Sequence, residues 1–138
     1  MLDHVTIVTD DFEASRALYD PLLAVLGLAA SVEFEDPESD EDDTGTVAAI
    51  GYGAGDRMLL WLVAGPTATS GAHLAFAVAT PELVRGAHAA AQRAGARIVQ
   101  EPRDWESSQL NYYGTQIADP GGNLVEIVLR PAGGGGVA

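Results

Sequence analysis

The chain has 138 residues, a length that suits one domain with a self-sufficient core, and a formal net charge of −13. A surface this acidic repels phosphate backbones and anionic lipid, so nucleic-acid and membrane-surface binding are not expected. There is no cysteine, which excludes disulfides, thiolate metal sites and cysteine nucleophiles. No apolar run approaches the roughly 20 residues of a membrane helix, and no basic leader opens the chain, so a cytoplasmic location is the default expectation.

In chain order, "LDHVTIVT" alternates and is rich in β-branched residues, which predicts a strand. Asp10 or Asp11 offers a helix cap, and "FEASRALY" follows as an amphipathic helix. Pro21 predicts an interruption, with "PLLAVL" a second helical turn that stops at Gly27. Strands are expected at about 28–35, 45–52 and 57–64, the last two joined by a hairpin turn in "GYGAGD". No helix follows those glycines, so they are not a dinucleotide loop. The acidic run "EFEDPESDEDDTG" lacks the sixth-position glycine and closing glutamate of a calcium loop, and reads as a solvated loop.

The same order then repeats. "AHLAFAVA" is a strand, Thr80 and Pro81 open a helix over "ELVRGAHAAAQRA", and Gly95 stops it. Strands are expected at about 96–100, 111–118 and 123–129, the last pair joined by a tight hairpin at "DPGGN". His4 and His73 are 69 apart, as are Asp11 and Thr80, and Arg16 and Arg85. Pro66 and Pro131 are 65 apart. The repeat predicts an α+β fold of two βαβββ modules, residues 1–66 and 71–131, paired into a concave mixed sheet as one domain. The tail 132–138, "AGGGGVA", has nothing to bury and is expected to be disordered.

A repeated strand position faces the same way in both modules, so His4 and His73 are predicted to point into one cleft. Glu126 is an acidic residue in an otherwise apolar strand, where a carboxylate is costly unless paired or bound to a cation. Two imidazoles and one carboxylate make a 2-His-1-carboxylate set with open positions on a divalent metal. The simpler alternatives are a hydrogen-bonded strand-end histidine and a glutamate paired with nearby Arg130. Counting back 65 residues from Glu126 lands on Trp61. His88, on the second helix, reads as a packing or surface residue.

"LDHVTIVTDDFEASRALYDPLLAVLGL", "HLAFAVA" and "NYYGTQIADPGGNLVEIV" together resemble the vicinal oxygen chelate superfamily, which contains glyoxalase I, bleomycin and fosfomycin resistance proteins and extradiol dioxygenases. The resemblance implies a metal-binding cleft whose ligand positions fall on His4, His73 and Glu126, for Fe, Mn, Ni or Zn. It further implies a lining by Trp61, Tyr112 and Tyr113, and a small oxygenated substrate chelated through neighbouring oxygens. Glyoxalase I carries a fourth ligand, a glutamate, where this chain has Trp61, so that activity is not expected. A homodimer is expected, because unpaired sheet edges are usually covered and relatives of this length commonly pair. The alternative reading is a metal-free protein of the bleomycin-resistance kind that sequesters a cationic aromatic ligand.

Overall fold

A computed structural model describes residues 1–35, 47–107 and 110–131, with the backbone alone at 47, 105–107 and 110–112. Most of the acidic run and all of the glycine-rich tail lie outside the described residues.

The first module runs β1 (Val5–Thr9), α1 (Phe12–Val25), β2 (Ala29–Glu35), β3 (Val47–Ala54) and β4 (Arg57–Ala64). The second runs β5 (His73–Val78), α2 (Pro81–Arg93), β6 (Arg97–Ser107), β7 (Leu110–Ala118) and β8 (Leu124–Leu129). Each module forms a four-stranded mixed sheet, ordered β1-β4-β3-β2 and β5-β8-β7-β6. In both, the first strand lies parallel to the fourth and the other pairs are antiparallel. The repeat read from spacing is therefore a repeat of topology.

The helix boundaries follow from local chemistry. Asp11 accepts a hydrogen bond from the Ala14 amide and Thr80 one from Leu83, as caps for α1 and α2. Gly27 and Gly95 end the helices at φ 78° and 76°, a region open to glycine without strain.

Three expectations need correction. Pro21 sits inside one continuous helix instead of dividing it. Its missing N–H leaves the Ala17 carbonyl without its helical donor, and Ala17 is exposed, so water can serve that oxygen. The hairpin turn is confined to Gly55 and Asp56, because Gly51, Tyr52 and Gly53 already pair with β4. The strand after α2 runs to Ser107, well beyond residue 100, with register shifts that absorb Pro102.

One core joins the modules. Ile7, Ile50, Tyr52, Leu60 and Leu62 from the first sheet, and Ile117, Val125 and Ile127 from the second, are buried. They cluster with Leu18, Tyr19, Leu22 and Leu23 of α1 and Val84, Ala87 and Ala91 of α2, so alternate strand residues supply one face of each sheet.

Two polar networks brace this core. Arg16 pairs with Asp20 at 3.0 Å and with Glu33 at 2.6 Å, and the Tyr52 hydroxyl donates to Asp20 at 2.6 Å. The second network crosses between modules. Tyr19 donates to Asp119 at 2.6 Å, and Asp119 also accepts from the Asn123 backbone at 2.8 Å and its side chain at 2.9 Å. Asn123 donates to the Thr69 carbonyl at 2.8 Å, and Thr69 exchanges hydrogen bonds with Val8 on β1.

Burial, then a hydrogen bond to a carboxylate (Asp119 for Tyr19, Asp20 for Tyr52), raises the pKa of both phenols. Unfolded tyrosines ionise near pH 10, while these two keep their protons. Their stabilising contribution is complete below that pH and is lost as pH rises above it. Urea midpoints should fall above pH 10, and less steeply in Tyr19→Phe; equal slopes would remove Tyr19 as a source.

Candidate metal and ligand site

The sheet faces opposite the helices carry the chemistry. On the second sheet Ala75 is level with Glu126 in parallel register, which puts His73, one alternation earlier, diagonal to Glu126. His73 Nε2 lies 3.4 Å from Glu126 Oε1. The Glu126 side chain is only 13% exposed, whereas that of His73 is 54% exposed. Gln116, level with Glu126 on β7, donates to Glu126 Oε1 at 2.9 Å and fixes the carboxylate. An apolar cavity of about 260 Å³ opens beside His73, lined among others by Leu2, Val5, Leu59, Leu74 and Phe76.

The first sheet repeats this layout with different side chains. Thr6 is level with Trp61, so Trp61 occupies the place of Glu126 and His4 that of His73. His4 Nδ1 is 2.7 Å from Asp3 Oδ1, an arrangement that turns the ring and leaves Nε2 for another partner. The hydrogen bond from His4 holds the Asp3 carboxyl below its usual range, with smaller pulls from the charges of His4 and Arg57. His4 and Trp61 line a cavity of about 290 Å³ with Asp3, Asp56, Arg57 and Met58.

Trp61 lies directly opposite Gly51 on β3. A Cβ at Gly51 would stand 2.9 Å from the indole Cη2 and Cζ3, so glycine is what lets the ring lie across the strand. The indole extends to Phe34 on β2, stacked with it at a centroid distance of 5.7 Å and an interplanar angle of 21°.

Of the residues singled out from the sequence, His73 and Glu126 are brought together, and His4 and Trp61 share a second cavity. Among the described residues no group of three His, Cys, Asp or Glu side chains converges as a metal site, so one chain does not gather His4 with the His73–Glu126 pair. Tyr113 is level with Asp104 and takes a 3.4 Å hydrogen bond from Arg85 of α2. The side chain of Tyr112 lies outside the described residues. His88 is half-buried on α2, with Nδ1 3.5 Å from Thr115 Oγ1, as a packing residue would be. Sequence reasoning missed Asp3, Gln116 and Phe34. Asp3 and Gln116 could have been found as polar neighbours of the suspected ligands, in sequence and across the strand.

The glyoxalase/bleomycin resistance protein/dioxygenase superfamily profile matches residues 1–127, and the chain belongs to that superfamily. It is similar to the crystal structure of a glyoxalase/bleomycin resistance protein from Albidiferax ferrireducens, with 25% identity, 94% of this chain and 98% of that one covered, and a TM-score of 0.70. A glyoxalase/dioxygenase from Nostoc punctiforme shares the fold at 23% identity, covering 95% of this chain and 91% of its own, with a TM-score of 0.62. A family enzyme from Burkholderia phytofirmans does so at 23% identity, 93% and 97% coverage, and a TM-score of 0.61. No curated protein matches the chain. Among the described residues no helix is long and apolar enough to cross a membrane.

Proposed function

We propose that this protein is a metal-dependent vicinal oxygen chelate enzyme acting on a small oxygenated substrate, and that its metal site is shared between two copies. His73 and Glu126 of one copy supply two ligands and His4 of the other supplies the third. The observation that carries this reading is the mostly buried Glu126, held by Gln116 beside His73, while the oriented His4 occupies the matching place on the other sheet.

The donor set, two imidazoles and a carboxylate, fits Fe, Mn, Ni or Zn and leaves positions for a bidentate substrate. A divalent ion there would supply Lewis-acid polarisation of neighbouring substrate oxygens. Gln116 keeps the carboxylate aimed, Asp3 keeps the His4 ring turned, and the cavity beside His73 excludes water from the apolar part of a substrate. Trp61 offers no carboxylate to move a proton, so turnover of the glyoxalase I substrate should be weak or absent.

The test is complementation. His4→Ala and His73→Ala homodimers should each lack the metal. Randomly mixed, refolded together, they should recover about one quarter of wild-type metal content, because half of the dimers are mixed and each has one intact site. No recovery, with both variants folded and dimeric by sedimentation, would sink the shared site. Metal-free wild type after expression in metal-supplemented medium would leave the ligand-sequestering reading in its place.

A further inference from the structure

Strand β4 breaks step beside the candidate site. Gly53 is level with Met58 but Tyr52 with Leu60, so Leu59 is an extra residue, a bulge, against β3. Strict alternation would put Leu59 on one face with Trp61. The bulge gives that place to Met58, whose Cγ, like the indole, would stand 2.9 Å from a Cβ at Gly51. Leu59 turns instead to the apolar cavity beside His73, and Arg57, one residue nearer the turn, lines the cavity of His4 and Trp61. Arg57 is exposed and enters no ion pair among the described residues. Of the two carboxylates on the same cavity, Asp3 is taken up by His4, and Asp56 lies in the hairpin turn. The hydrogen bond from His4 is the main cause that holds the Asp3 carboxyl below its usual range, and the charge of Arg57 adds to it more weakly.

We propose that Arg57 binds a carboxylate of the substrate and so determines specificity. The assignment rests on the proposed function in taking the cavity of His4 as part of the substrate site. A guanidinium forks onto a carboxylate through two parallel N–H donors, which fixes the direction of the bound molecule as well as its charge. The chain has seven basic residues against twenty acidic ones, so an anion is repelled over most of the surface. An unpaired guanidinium beside His4 marks a place where a single negative charge is admitted. Asp3 and Asp56 set that limit, because a phosphate dianion would meet their like charge twice over. In the shared site Arg57 comes with the copy that supplies His4, and the apolar cavity with the copy that supplies His73. The substrate class is therefore a small carboxylic acid whose two neighbouring oxygens lie between the carboxylate and an apolar group.

The probes are benzoate, benzamide and phenyl phosphate, followed on metal-free protein at pH 7 through the indole N–H resonance of Trp61, which shares the cavity with Arg57. Benzoate should shift that resonance saturably and bind about tenfold more tightly than benzamide. Arg57→Gln should bring benzoate down to the level of benzamide without moving the urea midpoint. Arg57→Lys should keep part of the preference, since an ammonium retains the charge and loses the fork. Equal binding of benzoate and benzamide, or an unchanged benzoate affinity in Arg57→Gln, would overturn the assignment. Phenyl phosphate binding more tightly than benzoate would overturn the choice of a carboxylate. On metal-loaded protein, 4-carboxybenzohydroxamate should bind about tenfold more tightly than benzohydroxamate, both chelating through two neighbouring oxygens. Arg57→Gln should erase that ratio while metal content stays as in wild type. A wild type that holds no metal but still binds benzoate through Arg57 would refute the proposed enzyme and leave the carboxylate site standing.

Discussion

Asp119→Ala is expected to cost about 3 kcal/mol of folding stability, the largest loss predicted for a single side chain outside the apolar core. Asp119 is 6% exposed and accepts three hydrogen bonds, from the Tyr19 hydroxyl and from the backbone and side chain of Asn123. Truncation leaves those donors without an acceptor, and neither Tyr19, at 0% exposure, nor Asn123, at 1%, can turn to water. Tyr19→Phe removes one donor together with its need for a partner, and should cost only about 1 kcal/mol. Chemical denaturation of the two single variants and the double variant gives the coupling directly. A smaller loss in Asp119→Ala than in Tyr19→Phe would show that the cluster does not hold the modules together.

Glu126→Leu should separate stability from function. The side chain lies between buried Val125 and Ile127 in sequence and is itself largely covered, and among the described residues its partners are His73 and Gln116. Leucine of similar size restores an apolar surface, and Gln116, half-buried, can turn its amide to water. The urea midpoint should hold or rise. Divalent-metal affinity should fall more than about 100-fold, beyond the roughly 10–100-fold typical when only an outer partner of a ligand is lost. Gln116→Leu provides that lesser case. Unchanged affinity in Glu126→Leu would place any metal elsewhere, and a large destabilisation would make Glu126 a structural hub.

The architecture was legible because it is written twice. Caps at Asp11 and Thr80 and stops at Gly27 and Gly95 are local chemistry, and their near-equal spacings, 69 and 68 residues, expose the duplication without tertiary information. The equivalence of Trp61 and Glu126 followed from an offset of 65 and reappears as register, Thr6 beside Trp61 and Ala75 beside Glu126. Pro21 misled because helix interruption depends on whether the orphaned carbonyl reaches water, which is decided by packing. "GYGAGD" misled because glycine signals both turns and close approach, and at Gly51 the cause is an indole from the next strand. The site was half legible. Residue types and strand parity gave the candidate ligand positions, but parity is silent on how two sheets lie relative to one another. His4 and His73 therefore looked like neighbours and are found in separate cavities. Phe34 was invisible for a related reason: its stacking partner lies two strands away.

Thr69 ties the two modules to each other. It lies in the segment that joins the modules, yet it bonds in both directions to Val8 of the first and through its carbonyl to Asn123 of the second. A connector held this way cannot act as a hinge, and neither module can melt without removing partners from the other. Unfolding should appear as one transition with coincident fluorescence and circular dichroism, and its amide at Thr69 should exchange only through global opening. The duplicated halves, similar as they are, have become a single thermodynamic unit, so a chain cut near residue 66 should yield no independently folded half.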